Sequence, residues 1–108
     1  MEAGKLDRRV TIERRGAPVD TGMTKKPGPW AFLADRAAEV IYSRGRETLA
    51  NQGVEAELPV AFRVRFDSVT KTITVRDRLI YEGKPFDLKS VNEIGRRDGV
   101  ELVGVASV

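Results

Sequence analysis

The fold class is decided by residues 60–66, which read Val-Ala-Phe-Arg-Val-Arg-Phe in a chain of 108 residues. Apolar side chains occupy every second position, and Arg63 and Arg65 stand between them. Because successive side chains of a β-strand point to opposite faces, this alternation predicts a strand with one buried face and one wet cationic face. Phe62 and Phe66 share the buried parity, so we expect them in the core rather than on a nucleic-acid stacking surface.

The same period of two recurs elsewhere in the chain. It runs through residues 6–13 and, more briefly, through residues 72–76 around Ile73, and each stretch predicts a strand. Residues 30–42 combine helical and strand spacing, and here we expect a strand that ends at Tyr42.

Two connections carry the residue types of tight turns. Residues 82–84, Glu-Gly-Lys, separate the apolar runs 79–81 and 86–88 and predict a β-hairpin. Asp98 and Gly99 separate two further apolar runs. An Asp-Gly pair tolerates the positive φ of a two-residue turn, so we expect a second hairpin to turn at these two residues.

These segments add up to an all-β chain. We expect a small antiparallel β-barrel or sandwich of six or seven short strands, with long loops and at most one short helix, over residues 46–52. No internal repeat or composition break divides the sequence, and its length is typical of one domain. We therefore expect a single domain over residues 1–108.

The composition excludes several classes of function. The chain has no cysteine and no histidine, which excludes disulfides, thiolate nucleophiles, imidazole metal ligands and Ser-His catalysis. Glu55 and Glu57 could share a strand face and hold a metal, but two solvated carboxylates are the simpler interpretation. We expect no enzymatic activity, no cofactor and no metal. No apolar run approaches the roughly 20 residues of a membrane-spanning helix, and we expect neither a membrane segment nor a secretory signal.

The charges are mixed along the whole chain. Nineteen basic and 16 acidic residues give a net charge of +3, and opposite signs alternate without a basic block. Binding to DNA without sequence preference needs several clustered cations. The sequence therefore favours an ordinary solvated surface over a nucleic-acid interface.

Two long stretches interrupt the strands. Residues 16–29 hold three of the five prolines and three of the ten glycines, and we expect neither a sheet ladder nor a helix there. A connection of this length is often functional, and we expect an interaction arm. Its candidate contact residues are Asp20, Lys25, Lys26 and Trp30. The second irregular stretch is residues 43–59.

Several short motifs occur in one order along nearly the whole chain. They are Gly4-Lys5-Leu6 at the head of segment 4–14, Asp20 and Gly22, Trp30, segment 37–40, Gly45-Arg46-Glu47, segment 60–66, segment 78–88 and Arg96-Arg97. Together they resemble the phage head–tail joining proteins, also called head closure, stopper or head–tail adaptor proteins, with relatives in gene transfer agents. The chain departs from that pattern at Ala37, where relatives often carry tryptophan, and in the proline-rich stretch 16–29.

The resemblance implies a structural protein of the virion neck, assembled in the bacterial host cytoplasm. Such proteins form six- or twelve-fold homo-oligomeric rings between the portal and adaptor rings of the head and the tail terminator or tail tube. The ring closes the DNA-filled capsid and docks the tail, and DNA passes through it without sequence-specific binding. In stopper-type relatives a loop that corresponds to residues 43–59 projects toward the channel.

The charged side chains of that loop are candidates for the channel lining or for contacts between subunits. They are Arg44, Arg46, Glu47, Glu55 and Glu57, whose charges sum to −1. A mildly acidic lumen would let DNA slide, because phosphates are held by unpaired cations. Two other functions stay open at this point: another neck ring such as a tail terminator, or a small-barrel protein that binds nucleic acid.

Overall fold

The computed structural model describes residues 3–42 and 58–107. Within these ranges the chain forms eight strands and two 3₁₀ turns. The strands are β1 (Arg8–Arg15), β2 (Val19–Asp20), β3 (Lys25–Lys26), β4 (Trp30–Tyr42), β5 (Val60–Arg65), β6 (Arg78–Tyr81), β7 (Lys84–Ile94) and β8 (Gly99–Ala106), and the turns are Ala3–Lys5 and Thr70–Thr72.

Six of the strands close into an antiparallel barrel. Their order around the barrel is β1-β4-β5-β8-β7-β6, and β6 pairs with β1 to complete the circle. Closure gives each of the six strands two neighbours, although most positions of β4 are paired with one neighbour only. The expected all-β fold and antiparallel barrel are confirmed.

The alternation in β5 forms the centre of the core. Phe62 and Val64 are fully buried, while Arg63 lies on the outer face. The Phe62 ring meets the rings of Tyr81 and Phe86 edge-on, at centroid distances of 5.6 and 5.2 Å. Burial, with a hydrogen bond to Tyr42, raises the pKa of the Tyr81 phenol. Burying a side chain of this size stabilises the fold by about 1.5–3 kcal/mol, so these rings anchor the barrel.

A β-bulge in β4 explains the mixed spacing of residues 30–42. Ile12 of β1 pairs with Ala34, but the next residue, Glu13, pairs with Phe32, so Leu33 is an extra residue. The extra residue reverses the inside–outside alternation of the strand. Leu33 packs against the core, and Phe32 is 66% exposed. Trp30 is thereby moved to the outer face.

The two hairpins differ in how well they match the sequence. Glu82 and Gly83 join β6 to β7 with φ of 52° and 76°, as the primed turn of a two-residue hairpin requires. From the sequence the second turn is expected at Asp98 and Gly99, but the connection is formed by the four residues 95–98. The positive φ values occur at Gly95 and Arg97, and Gly99 already belongs to β8, because it pairs with both β5 and β7.

The expected strand over residues 72–76 is wrong. This part of the chain lies between β5 and β6 and forms the 3₁₀ turn Thr70–Thr72 followed by further turns. Asp67 Oδ1 accepts two amide hydrogens of the turn at 2.8 Å each, and the buried Thr70 hydroxyl donates to the Arg65 carbonyl at 2.7 Å. Hydrogen bonds between side chains and the nearby backbone compete with those of a sheet ladder, and in this segment they hold the backbone in turns. Ile73 still enters the core.

Candidate functional site

The arm, residues 16–29, joins β1 to β4 and is more ordered than the sequence indicates. Val19 pairs with Lys26 and Asp20 pairs with Lys25, so β2 and β3 form a small antiparallel sheet apart from the barrel. The expectation of no ladder is therefore wrong. The prolines lie just before β2 and just after β3, where they remove no donor from the two paired steps.

The tip of the arm is held by short local hydrogen bonds. Asp20 Oδ1 accepts the Gly22 N–H at 2.8 Å, and Gly22 has a φ of 87°. The Thr21 amide and hydroxyl both donate to the Thr24 carbonyl, at 3.0 and 2.8 Å. These bonds present Met23 at the tip with 95% of its surface exposed. Met23 has the highest exposed fraction among the exposed large apolar residues of the described ranges.

The base of the arm is closed by a tight backbone contact. The Gly16 N–H donates to the Pro29 carbonyl at 2.9 Å, and Arg15 Nη1 donates to the Gly28 carbonyl at 3.0 Å. Gly28 is buried, and a Cβ on it would lie 2.3 Å from the Gly16 oxygen. Only glycine fits at this crossing, so the arm leaves the barrel at a defined place.

Trp30 packs beside this closure rather than at the tip. Its ring centroid lies 4.3 Å from the guanidinium carbon of Arg15 and 4.5 Å from that of Arg78. Arg78 is itself fixed by a bond from its Nε to Glu13 Oε1 at 2.7 Å. Trp30 thus supports the arm from the outer face of the barrel.

A basic groove lies between the arm and the β5–β6 connection. It has a volume of about 770 Å³. The charged residues that line it are Arg14, Arg15, Lys25, Lys26, Arg76 and Asp77. Five basic side chains and one carboxylate give the groove a formal charge of +4, more than the +3 of the entire chain. The sequence did not indicate this cluster, because its members come from three separate segments.

One cation of the groove is neutralised by a buried carboxylate. Arg14 donates from Nε and Nη2 to the two oxygens of Asp77, each at 3.0 Å. Asp77 is 3% exposed and also accepts the Thr74 N–H at 3.0 Å. The hydrogen bond to Asp77 raises the pKa of Arg14, against the opposing effect of partial burial. This pair fixes the wall of the groove, and Lys25, Lys26 and Arg76 have no ion pair to the described residues.

A second surface lies on the outer face of β4, β5 and β8. Ala61 pairs with Ile41 on one side and Val103 on the other. Ala61 and Val103 point outward because Phe62 and Leu102, next to them along the chain, are fully buried. Ile41 points outward because the preceding Val40 packs against the core. Ile41 is 37% exposed. The outer face therefore carries a short apolar row.

The next row along these strands is charged. Arg63 Nε donates to Glu101 Oε2 at 2.9 Å, and Arg63 Nη1 lies 3.7 Å from Glu39 Oε1. The triad crosses the same three strands as the apolar row. A charged row beside an apolar one gives this face a definite register for any subunit that packs against it.

The candidate channel residues lie outside the described residues, as does the candidate helix, so their assignments stay predictions. These channel residues are Arg44, Arg46, Glu47, Glu55 and Glu57.

In the two described ranges no helix is long and apolar enough to cross a membrane. Nor do the acidic residues in those ranges cluster in a group that could hold a metal ion.

Comparison with known proteins identifies the family. The model of the phage head completion protein family matches residues 1–106, in agreement with the resemblance based on short motifs. The fold is similar to the solution structure of protein SF1141 from Shigella flexneri 2a, with a TM-score of 0.71 and 18% identity over 98% of this chain and 96% of that chain. No curated protein matches the sequence significantly. Because the family match spans nearly the whole sequence, the chain belongs to the phage head completion protein family.

Proposed function

We propose that this chain forms a homo-oligomeric ring at the head–tail neck, which closes the DNA-filled capsid after packaging and docks the tail. The family match over residues 1–106 is the observation that carries the proposal, since it makes the chain a component of the phage particle with a role in head assembly. The head-side partner is the portal or adaptor ring, and the tail-side partner is the tail terminator or tail tube.

The barrel supports a ring through its outer face. Each strand of the closed barrel has two neighbours in the sheet, and we propose that subunits meet through the side chains of the outer face. The apolar row Ile41, Ala61 and Val103 supplies surface that gains from burial, and the triad around Arg63 fixes the register. Each such contact is small, but a ring repeats it at every interface.

The arm supports docking to a neighbouring ring. It leaves the barrel through a closed base, carries an exposed Met23 at its tip, and adds little to the barrel core, because residues 16–27 are exposed. Contacts of this kind can be made to a partner without unfolding the barrel. We propose that the arm reaches the adjoining protein of the neck.

Electron microscopy of the particle neck tests the ring directly. We expect density for the barrel between the head and the tail, in six or twelve copies. A position on the capsid shell or at the distal tail would overturn the proposal. The substitution Ala61→Arg should hinder ring assembly, whereas Ser68→Arg, on the exposed β5–β6 connection away from the row, should leave it intact.

Deletion of residues 17–28 tests the arm. Gly16 and Pro29 would then form a two-residue connection between Arg15 and Trp30, which are already paired. We expect a folded barrel with a normal circular dichroism spectrum and fewer tailed particles in a complementation assay. Full tail joining by the deletion variant would refute the docking role of the arm.

A further inference from the structure

We propose that the basic groove binds an extended, carboxylate-rich segment of a neighbouring protein subunit. This inference rests on the docking role proposed for the arm, and it names the chemistry of the partner. The groove is formed by Arg14, Arg15, Lys25, Lys26 and Arg76, with Asp77 in its wall.

Most of the positive charge in the groove is uncommitted. Among the residues of the described ranges, Lys25, Lys26 and Arg76 have no ion pair or side-chain hydrogen bond, and all three are exposed. Arg15 donates one N–H to the Gly28 carbonyl, and it has no carboxylate partner within the same ranges. Asp20 is the acidic residue that pairs with Lys25 in the two-stranded sheet of the arm. Its Oδ1 already accepts the Gly22 amide hydrogen. Lys25, Lys26 and Arg76 thus line one concave space without an ion pair to the described residues, while Arg15 also contacts the Trp30 ring.

The shape and chemistry of the groove suit a peptide. Its volume of about 770 Å³ falls in the range of known ligand sites. Pro18 and Pro27 contribute apolar wall, and Thr72 and Thr74 contribute polar groups beside the cations. Guanidinium groups bind carboxylates in a two-pronged geometry, and the Arg14–Asp77 pair already shows that geometry inside the groove.

Nucleic acid fits the same groove less well. Duplex DNA is held by about 6–10 phosphate contacts in proteins that bind it firmly, and the groove offers three uncommitted cations besides Arg15, which also contacts Trp30 and Gly28. A peptide with three or four carboxylates matches the charge of the groove, because each cation then meets one anion.

Binding of a fluorescein-labelled hexaglutamate peptide to the full chain tests the inference. Fluorescence anisotropy is measured at about 0.05 M and about 0.5 M NaCl, conditions that differ in electrostatic screening. The test variant is Lys25→Glu/Lys26→Glu, and the matched control is Lys84→Glu/Lys89→Glu, two exposed lysines of β7 with the same change in net charge. A second double variant, the neutral pair Lys25→Gln/Lys26→Gln, removes the two charges without reversing them, and it serves as the test if charge reversal disturbs the structure of the arm.

We expect salt-sensitive binding that weakens about tenfold in the test variant, less in the neutral pair, and little in the control. Equal losses in test and control variants would mean general attraction to a basic protein and would overturn the inference. Tighter binding of a DNA duplex of about 20 base pairs, lost on the same lysine changes, would overturn it in favour of nucleic acid. Electron microscopy of the particle neck tests the proposed function separately, since peptide binding by the isolated chain does not depend on where the protein lies in the particle.

Discussion

Arg15 and Trp30 form the last pair of the β1–β4 ladder, and the guanidinium carbon of Arg15 lies 4.3 Å from the centre of the Trp30 ring. The same guanidinium donates to the Gly28 carbonyl inside the arm. One side chain therefore binds both the outer face of the barrel and the backbone of the arm. The arm and the barrel are coupled at this point.

Replacing Trp30 should weaken the base of the arm. Two guanidinium contacts to the ring, at 4.3 and 4.5 Å, contribute about 0.5–1 kcal/mol each at partly exposed sites. We expect Trp30→Leu to lower the free energy of unfolding by about 1–2 kcal/mol in urea titration, and Trp30→Phe to lower it by less. Phe32→Leu serves as control, because Phe32 is 66% exposed. Equal stability of the Leu and Phe variants at position 30 would contradict a stabilising contact between the aromatic ring and the two guanidinium groups.

Gly28→Ala should open the arm base. The new Cβ would lie 2.3 Å from the Gly16 oxygen and 2.5 Å from the Ala17 oxygen, and backbone cannot yield as a side chain can. We expect a loss of about 1–3 kcal/mol and faster hydrogen exchange at the Gly16 amide. Gly22→Asn is the matched change at the tip, where a Cβ meets nothing within 4 Å and asparagine tolerates the positive φ. Normal protection of Gly16 in the alanine variant would disprove the steric argument.

The strands with one buried face were predictable because their pattern and their environment agree. In β5 the large apolar residues Val60, Phe62 and Val64 are buried and both arginines are outside, so the period of two is visible in the sequence. In β4 it is not, because the bulge at Leu33 reverses the alternation. Trp30 and Ala34 then have the same parity in sequence but lie on opposite faces. A single extra residue in a strand has no clear signal in one sequence.

The basic groove could not be predicted for a different reason. Arg14 and Asp77 are 63 residues apart, and Lys25 meets them only because the arm folds back beside the β5–β6 connection. Local charge density along the chain therefore stays low, although the folded surface is strongly basic at this place. Contacts of such sequence separation depend on strand order, and the barrel order β1-β4-β5-β8-β7-β6 was not readable from the periodicity.

Removing the Asp77 carboxylate should be costly. Asp77 is 3% exposed and accepts hydrogen bonds from Arg14 and from the Thr74 amide. We expect Asp77→Ala to destabilise the protein by about 2–4 kcal/mol, because the Thr74 amide loses its acceptor and the Arg14 guanidinium keeps only its bonds to Thr72. Asp77→Asn keeps an acceptor and should cost less. The measurement is the midpoint of thermal unfolding, and equal midpoints for the two variants would exclude the hydrogen-bond explanation.

The Asp67 carboxylate should make stability fall in acid. Burial opposes its ionisation, but the bond from Arg36 Nε at 2.8 Å and two backbone amides outweigh burial and lower its pKa. A carboxyl whose pKa is lower in the folded state stabilises it above the ordinary aspartate pKa of about 3.9, and that contribution is lost as the pH falls through the lowered value.

Asp67→Asn removes this titration and leaves an oxygen that can still accept from the turn. Since the side chain is 36% exposed, solvent screening limits the difference between wild type and variant to about 1 kcal/mol at pH 7. We expect that difference to shrink toward zero in urea titrations carried out progressively below a pH of about 4. The control is Asp87→Asn, an exposed carboxylate of β7 without an ion pair to the described residues. If the Asp67→Asn difference stays constant with pH, the charge of Asp67 makes no contribution to stability and the turn is held by its hydrogen bonds alone.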